Sequence, residues 1–410
     1  MWQAVFKHMV SRLVQTGTLR VYFPDQSYAG FGDGTWPQIT LRVINVTALR
    51  DLVMNPDLAW GESYMNGDLL IDDDDLHGLL HLLIINLAPD RRVWWHRLAE
   101  AARFALRGAA QTNGHVKSRR NVEGHYDLSG ALYDLFLDQD RQYSCAYFRT
   151  DHDTLDQAQA QKKAHIAAKL VLQPGLRVLD IGCGWGGLAM TLAREYGVQV
   201  TGITLSNEQH AVATQRVHAA GLDRLVDIKL TDYRDLTGQF DRIVSVGMFE
   251  HVGVPNYRTY FNTVSALLAP DGVALIHTIG RSSSPGATNP FIAKHIFPGG
   301  YVPALSEVLT AVEEGPLWVT DVECLRLHYA RTLHAWLTRF DANRDKVARL
   351  YDARFIRMWR FYLIASEQCF RFDRQAVFQI QLSKTVDTVP ITRDYLYAPA
   401  AMPQGMAAAQ

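Results

Sequence analysis

The fold of this chain is decided by one short segment, Val178-Leu179-Asp180-Ile181-Gly182-Cys183-Gly184-Trp185-Gly186-Gly187. Residues 176–179 are apolar except for one arginine, which predicts a buried parallel strand. The glycines predict a tight turn, and the apolar residues after them predict the start of a helix. Gly182, Gly184 and Gly187 match the pattern G-x-G-x-x-G, which lets the backbone approach a bound nucleotide-like ligand closely. The alternative is an ordinary glycine-rich turn between a strand and a helix.

Composition limits the class of protein. The chain has 410 residues, 48% of them hydrophobic, so it can bury a sizeable core in one large or two ordinary domains. With 41 basic and 42 acidic side chains, the net charge gives no reason to expect a nucleic-acid partner. The four cysteines form no C-x-x-C pair, which favours reduced thiols and argues against a zinc ribbon or a disulfide framework.

The most apolar run, residues 76–88, is interrupted by polar residues and is shorter than the roughly 20 residues that span a bilayer. We therefore expect a cytoplasmic protein that is soluble or peripheral to the membrane. Residues 1–90 predict a separate unit with short strands at residues 20–23 and 38–46. Four aspartates at residues 72–75 precede an apolar run, as at a helix N-terminus. A metal site is the alternative, but the spacing of a calcium loop is absent and no metal is expected.

Residues 91–121 are basic and aromatic. Eight cationic side chains face a single acid, Glu100, and Trp94, Trp95, Phe104 and Leu106 lie between them. A basic amphipathic helix of this kind can lie on an anionic membrane surface. A solvated helix face that leads into a linker is the equally weighted alternative. The cations are Arg91, Arg92, Arg97, Arg103, Arg107, Lys117, Arg119 and Arg120.

Residues 124–385 alternate between strand and helix patterns. Strands are predicted at residues 177–181, 199–205, 226–230, 242–246, 273–278, 318–325 and 377–383. Helices are predicted at residues 154–172, 207–220, 257–268 and 331–342. This alternation is typical of a parallel, doubly wound α/β sheet, which binds ligands beyond the carboxyl ends of its strands. The remainder, residues 391–410, is rich in Ala, Pro and Met and is predicted to be a loose tail.

The residues at the end of the second strand of this sheet narrow the choice of cofactor. An NAD site requires an acidic residue there, but residues 202–206 contain none. The hydroxyl and amide groups of Ser206, Asn207 and Gln209 could hydrogen-bond a ribose instead. Asp232 comes after the third strand, where an adenine edge would lie. These features favour S-adenosylmethionine (SAM) over a dinucleotide.

Several segments together resemble the cyclopropane-fatty-acyl-phospholipid synthase family, which includes the mycolic acid cyclopropane synthases. The resemblance covers residues 124–385. Residues 60–69 also resemble the extra N-terminal domain of the bacterial phospholipid enzymes, which the mycolate enzymes lack. The segments, beside the glycine turn and residues 202–206, are His125-Tyr126-Asp127-Leu128, Tyr143-Ser144-Cys145-Ala146-Tyr147-Phe148, Gly247-Met248-Phe249-Glu250-His251-Val252-Gly253, Leu275-Ile276-His277-Thr278-Ile279-Gly280 and His328-Tyr329-Ala330-Arg331-Thr332-Leu333.

The resemblance implies a class I SAM-dependent methyltransferase (Rossmann-like) fold, with a seven-stranded sheet and a smaller N-terminal α+β lipid-binding domain. It divides the chain into a membrane-docking domain with a basic linker (1–121), a catalytic domain (122–390) and a tail (391–410). The implied reaction transfers the SAM methyl group to a cis double bond of an acyl chain of a membrane phospholipid. The resulting carbocation loses a proton to bound bicarbonate and closes a cyclopropane ring.

The resemblance also assigns residues to this chemistry. Glu250 would accept a hydrogen bond from bicarbonate and hold His277, and His277 would donate to bicarbonate. Cys145 and the backbone of Ile279 would bind the anion, and Tyr329 would donate a hydrogen bond and offer its ring to the cation. Glu250 and His277 each lie at or just past the end of a predicted strand, which supports the assignment independently. The implied SAM contacts are Tyr143, Ser144, Gly182, Gly184, Gly186, Thr204, Leu205, Gln209, Asp232 and Tyr233.

Three alternatives stay open. The same carbocation could give a methylene- or methyl-branched chain, the chain could be an amine N-methyltransferase, or it could be a catalytically silent lipid-binding protein. One departure from the family pattern lies at residues 129–131, where the usual Asn or Asp is absent. The resemblance implies peripheral association with the inner surface of the membrane, and it makes a homodimer plausible.

Overall fold

The computed structural model describes residues 1–87, 93–111 and 130–397. The N-terminal part is an α+β unit with a small sheet in the strand order β2-β1-β3-β4, in which β1 and β3 are parallel. Asp75 caps the last helix of this unit through the backbone N–H of Gly78 at 2.8 Å, as the acidic run predicts. The elements are α1 (Trp2–Leu13), β1 (Thr18–Tyr22), β2 (Tyr28–Gly32), β3 (Gln38–Val43), α2 (Val46–Met54), α3 (Pro56–Asn66), β4 (Leu69–Ile71) and α4 (Leu76–Ile85).

The connecting helix α5 (Trp94–Gln111) leads to the second part, which is the larger α/β unit. Its strands are β5 (Arg177–Ile181), β6 (Gln199–Thr204), β7 (Val226–Leu230), β8 (Phe240–Val246), β9 (Leu268–Arg281), β10 (Trp318–Cys324) and β11 (Gln375–Ser383). Its helices are α6 (Gly130–Tyr133), α7 (Leu155–Lys169), α8 (Gly187–Tyr196), α9 (Asn207–Ala219), α10 (Tyr257–Leu267), α11 (Pro290–His295), α12 (Leu305–Glu313), α13 (His328–Ala342), α14 (Arg344–Val347) and α15 (Ala353–Phe372).

The seven strands form one sheet in the order β10-β11-β9-β8-β5-β6-β7, with the glycine turn after the central strand β5. The predicted α/β fold with seven strands is confirmed, and every predicted strand is present. The sheet is mostly parallel, as predicted, but β11 runs antiparallel to both of its neighbours. After β10 the chain passes through three helices and enters the sheet between β9 and β10 in the opposite direction.

The longest helix, α15, was missed by the sequence pattern. It packs against α13 of its own unit and against α3 and α4 of the N-terminal unit. Because it is covered by helices of both units, its buried residues lie on more than one side of the helix, among them Trp359, Phe361 and Leu363. Buried residues of both units form one continuous core, from Phe6 in α1 to Val377 in β11, so the N-terminal unit does not have a core of its own.

Residues 391–397 differ from the loose tail that the composition predicts. A short 3-10 helix, Arg393–Leu396, places the side chain of Leu396 in a buried position. The Tyr395 hydroxyl accepts a hydrogen bond from the side-chain amide of Gln381 in β11 at 3.0 Å. The catalytic unit therefore extends past residue 390. The rest of the predicted tail lies outside the described residues.

Among the described residues, no helix has both the length and the hydrophobicity needed to cross a membrane.

Candidate active site

A cavity lies beyond the carboxyl ends of β5, β6, β7 and β8, where a doubly wound sheet binds its ligand. Nine of the ten predicted SAM contacts line it. Gly186 is the exception: it does not line the cavity in the described structure but faces Ala213 of α9, where a Cβ would come within 3.2 Å. Gly187, the third glycine of the pattern, lines the cavity in its place. The nine are Tyr143, Ser144, Gly182, Gly184, Thr204, Leu205, Gln209, Asp232 and Tyr233.

The glycine turn keeps this cavity open through its backbone conformation. Gly182 has a φ of 85°, and a Cβ there would lie 2.9 Å from Cβ of Met248. A Cβ on Gly187 would lie 2.4 Å from a carboxylate oxygen of Asp140. A side chain at Gly182 would therefore collide with Met248, and one at Gly187 would collide with Asp140.

The polar groups around the cavity are held in place by their neighbours. Arg234 donates two side-chain hydrogen bonds to the Asp232 carboxylate, at 2.9 and 2.6 Å. The Thr204 hydroxyl donates to the side-chain oxygen of Gln209 at 2.7 Å. The groups that would face a ribose and an adenine are thus oriented before any ligand binds.

Asp180 also lines the cavity, although the sequence analysis did not select it. Its carboxyl group is buried, and its Oδ2 has no hydrogen-bond partner among the described residues. Burial raises the pKa of Asp180 to about 7, against the opposing charge of Lys162. An unpaired buried carboxylate facing a cavity fits a cationic ligand such as SAM, because such a ligand would stabilise the ionised form. The signal was present, since Asp180 is a polar residue inside a buried strand directly before the glycine turn.

Tyr143, Ser144, Gly247 and His251 line both this cavity and a second one. The Tyr143 hydroxyl lies 2.9 Å from the Tyr362 hydroxyl of α15. The buried Lys162 ammonium donates to the Ser144 hydroxyl at 2.9 Å, and burial lowers the pKa of Lys162 to about 8. The two cavities therefore meet at a junction whose side chains are fixed by α7 and α15.

The second cavity is larger, with a volume of about 330 Å³, and most of its walls are apolar. It extends from this junction into the space between the two units of the protein, where α1, α3 and α4 supply part of its wall. All five residues of the predicted anion site line this cavity near the junction, although they come from four separate segments of the chain. They are Cys145, Glu250, His277, Ile279 and Tyr329.

Glu250 lies at the centre of this group. Its Oε1 accepts a hydrogen bond from the backbone N–H of Ile279 at 2.6 Å, whereas its Oε2 has no partner among the described residues. Burial raises the pKa of Glu250 to about 7, although the hydrogen bond from Ile279 favours the ionised form. The group can therefore exchange a proton near neutral pH: its ionised form accepts hydrogen bonds at Oε2, and its protonated form can donate one.

Two expected contacts differ in the structure. The N–H of Ile279 holds the Glu250 carboxylate and is not directed at a separate anion. The partner of His277 is Gln379 of β11, whose side-chain nitrogen lies 3.1 Å from His277 Nδ1, and not Glu250. The sequence did not identify Gln379, because its pairing with His277 depends on the antiparallel register of β9 and β11. In the sequence, Gln379 is marked only as a polar residue within a mostly apolar strand.

The remaining groups of the site are neutral. Burial keeps the pKa of His277 well below its usual range, and Lys162 and Lys169 act in the same direction. With Gln379 donating to Nδ1, the proton of this neutral imidazole lies on Nε2. Burial also raises the pKa of the Cys145 thiol, so this thiol stays protonated. Tyr329 is buried against the rings of Trp336 and Phe370.

The predicted motif at residues 125–129 lies outside the described residues, as do Arg91, Arg92, Lys117, Arg119 and Arg120 of the predicted basic helix. Two of the remaining arginines make ion pairs within the protein. Arg103 binds Asp57 at 2.5 Å, and Arg107 binds Glu307 at 3.1 Å. These two side chains therefore do not form part of a free basic face.

The fold and the cavity at its strand ends define this protein as a class I SAM-dependent methyltransferase. A family model described as mycolic acid cyclopropane synthetase matches residues 114–380, and a domain of unknown function matches residues 1–86. The chain therefore belongs to the mycolic acid cyclopropane synthetase family.

Three relatives place the chain within this family. The cyclopropane-fatty-acyl-phospholipid synthase of Escherichia coli is 42% identical over 352 residues, covering 85% of this chain and 88% of that protein. The tuberculostearic acid methyltransferase UfaA1 of Mycobacterium tuberculosis is 34% identical, covering 92% and 90%. The crystal structure of the mycolic acid cyclopropane synthase CmaA1 with SAH and CTAB superposes with a TM-score of 0.62 at 35% identity, covering 66% of this chain and 99% of that one.

Proposed function

We propose that this enzyme transfers the methyl group of SAM to a cis double bond of a phospholipid acyl chain and forms a cyclopropane ring. The observation that carries the proposal is the junction of the two cavities. A cofactor-type cavity at the strand ends opens into an apolar one. A buried glutamic acid and a neutral histidine line the apolar cavity. An alkene carries no group for a protein to ionise, so the site needs a dry channel, orientation and a proton acceptor.

SAM supplies an electrophilic methyl group when it is bound. The π electrons of the double bond form the new C–C bond as the C–S bond breaks, and the positive charge falls on the acyl chain. Loss of a proton from the added methyl group then closes the ring. Tyr143 and Ser144 lie between the two cavities and would align the methyl group with the alkene. The ring of Tyr329 would stabilise the cation.

Bicarbonate fits the polar end of the apolar cavity as the proton acceptor. The partnerless Oε2 of Glu250 is the observation that supports it. When ionised, Glu250 would accept a hydrogen bond from the hydroxyl group of bicarbonate through Oε2, and His277 would donate one to the anion from Nε2. The Cys145 thiol and the Tyr329 hydroxyl line the same space. Ile279 would act indirectly, by holding the Glu250 carboxyl group in place.

A membrane phospholipid is the proposed substrate because the apolar cavity reaches the N-terminal unit. Trp60, Leu80 and Leu83 contribute to its wall. Val93, which directly precedes α5, and His96, in the first turn of α5, line it as well. An acyl chain drawn from a bilayer could therefore enter between the two units.

Helix α5 would form the contact with the membrane surface. Trp94, Leu98 and Leu106 are 68%, 61% and 68% exposed, and they follow one another at spacings of four and eight residues. Such spacings place the three side chains within about one third of the helix circumference. Because Arg103 and Arg107 pair with acids of the protein, we propose that docking depends on this apolar stripe more than on basic charge. The enzyme would then work as a peripheral protein at the inner membrane surface.

A methyl-branched or methylene product is the second candidate. It is favoured by the similarity to the tuberculostearic acid methyltransferase, which extends over 92% of this chain. The same cation would then lose a different proton and give a methylene-branched chain, instead of closing a ring. A saturated methyl branch would require a hydride donor as a further reactant.

Mass spectrometry of phospholipid acyl chains tests the proposal in a host that makes unsaturated lipids but no cyclopropanes. Expression of the full chain should add one CH₂ to each modified acyl chain. Derivatisation of double bonds and fragmentation against standards then separate the products. A ring supports the proposal. A retained alkene at the same mass, or a saturated methyl branch, which gains CH₄ because two further hydrogens are added, supports the second candidate. No mass gain from a protein that binds SAM would overturn both.

A further inference from the structure

A cluster of three side chains that could bind a metal ion lies next to the wall of the apolar cavity. It joins His77 of α4, in the N-terminal unit, with His334 of α13 and Glu367 of α15. The Oε2 atom of Glu367 lies 3.3 Å from Nδ1 of His334 and 4.0 Å from Nε2 of His77. One ligating atom from each residue lies within 4.8 Å of the other two. Two imidazoles and a carboxylate are a ligand set that binds zinc with an open fourth position.

Two neighbouring side chains orient these ligands. Arg371 donates to the other carboxylate oxygen of Glu367, Oε1, at 2.8 Å, so that Oε2 faces the two histidines. The Gln368 side chain lies 3.4 Å from His77 Nδ1, on the opposite side of the ring from Nε2. Hydrogen bonds to the distal atoms of metal ligands are a common feature of metal sites, where they orient the ligands.

The cluster is open enough to admit an ion and to adjust to it. The His77 and His334 side chains are 38% and 57% exposed, whereas Glu367 is 3% exposed. Zinc–ligand distances of about 2.0–2.2 Å place tetrahedral ligand atoms roughly 3.4 Å apart. Rotation of the two exposed imidazoles toward the buried carboxylate could shorten the distances between the ligand atoms to this value.

We propose that His77, His334 and Glu367 form a divalent metal site, with zinc as the expected ion, that fastens the N-terminal unit to the catalytic unit. Each ligand has a neighbour in the wall of the apolar cavity. Leu80 lies one turn after His77, Leu333 directly precedes His334, and Ser366 directly precedes Glu367. A bound ion would therefore brace three helices of the cavity wall without touching the reacting groups.

Calorimetric titration of the full-length, chelator-treated protein with Zn²⁺ tests this site. We expect one ion per chain. His334→Ala and His77→Ala should each weaken binding by at least tenfold, because each removes a direct ligand. His218→Ala is the matched control, since it removes a surface histidine paired with Asp223 outside the cluster. This control should bind zinc like the wild type.

Thermal unfolding gives a second readout that does not depend on catalysis. Zn²⁺ should raise the Tm of the wild type and of His218→Ala, but not that of His334→Ala, because only an intact site binds the ion that would bridge α4, α13 and α15. A wild type that binds no zinc overturns the proposal. So does a bound ion that both His77→Ala and His334→Ala retain.

Discussion

The two cavities that meet at Tyr143 and Ser144 are built in different ways. The cofactor cavity is formed by the ends of four neighbouring parallel strands, and its shape depends on glycines and backbone turns. The apolar cavity, which would hold the acyl chain and is called the acyl cavity from here on, is formed by side chains from both units. Helices far apart in the sequence bring these side chains together. A parallel sheet collects its strand ends at one edge whatever the rest of the chain does. The acyl cavity has no such guarantee, because it depends on how the two units pack.

Replacement of the central acid should give the largest effect and test the acyl side alone. Glu250→Gln keeps the shape of the side chain but replaces the free oxygen Oε2, which would accept a hydrogen bond from bicarbonate, with an NH₂ group that can only donate. Turnover should fall by about a hundredfold or more, whereas SAM affinity, measured by calorimetry, should be unchanged. Glu314→Gln, which changes an exposed acid outside both cavities, should keep wild-type turnover. Wild-type turnover in Glu250→Gln would refute the assignment of Glu250.

The stability of the protein should depend on pH through both cavities. Each contains a buried acid whose pKa is raised to about 7, Glu250 on the acyl side and Asp180 on the cofactor side. Between the unfolded-state pKa values, near 4, and pH 7, the folded protein binds more protons than the unfolded chain. The free energy of unfolding should therefore fall as the pH rises through this window, by on the order of 2–3 kcal/mol for each group.

Urea unfolding between pH 4 and pH 8 measures this dependence. Glu250→Gln and Asp180→Asn should each make the decline less steep. Saturating SAM should stabilise the wild type more at pH 8 than at pH 5, because the ionised Asp180 favours a cationic ligand. If neither substitution changes the slope, these acids are ionised in the folded protein.

A glycine substitution should affect the cofactor side. In Gly182→Ala, the Cβ approaches Met248 and the residue must keep a positive φ. SAM affinity should fall by at least tenfold, because about 1–2 kcal/mol of backbone strain is added to the collision. Gly175→Ala is matched in φ, at 86°, but its Cβ would meet open space. It adds the backbone strain without the collision, so it should show a smaller loss of Tm and normal SAM binding. Equal SAM affinities in the two variants would contradict the role of the turn.

The positioning of His277 should have a smaller effect on the acyl side. Gln379→Leu removes the hydrogen bond to Nδ1 and frees the imidazole to change tautomer, which should lower kcat by about tenfold. Gln381→Leu removes a buried amide from the same strand, away from the cavity. Both variants should lose stability, but only Gln379→Leu should lose turnover at unchanged SAM affinity. Equal turnover in the two would show that the pairing with His277 is only structural.

The smallest expected effect concerns the route by which lipid reaches the acyl cavity. Leu98→Glu places a charge in the exposed apolar stripe of α5 and should weaken sedimentation with anionic vesicles several-fold, by about 1–2 kcal/mol. Leu350→Glu introduces the same charge at an exposed leucine of the catalytic unit and should bind vesicles normally. Unchanged vesicle binding in Leu98→Glu would assign the docking surface to another part of the chain.

The same contrast explains which parts of the site were predictable. The strands at residues 177–181 and 226–230 have the predicted bounds because a buried strand next to a turn carries its signal locally. The direction of β11 was not predictable, since it depends on contacts with the other elements of the core. Helix α15 was missed although its N-cap residue, Asp352, is a local signal for the start of a helix. Gly186 faces Ala213 of α9 and does not line the cofactor cavity of the described structure, a difference that the pattern of glycines alone does not show.

The sequence by itself determined the class I methyltransferase sheet, the glycine turn and the candidate groups at the strand ends, because each is encoded in a few consecutive residues. Only the tertiary structure decided how these groups are held. It paired Glu250 with the amide of Ile279, and His277 with Gln379 across 102 positions of the chain. It also closed the acyl cavity between the two units and brought His77 to Glu367. Such contacts arise from packing and strand register, which no local pattern of residues records.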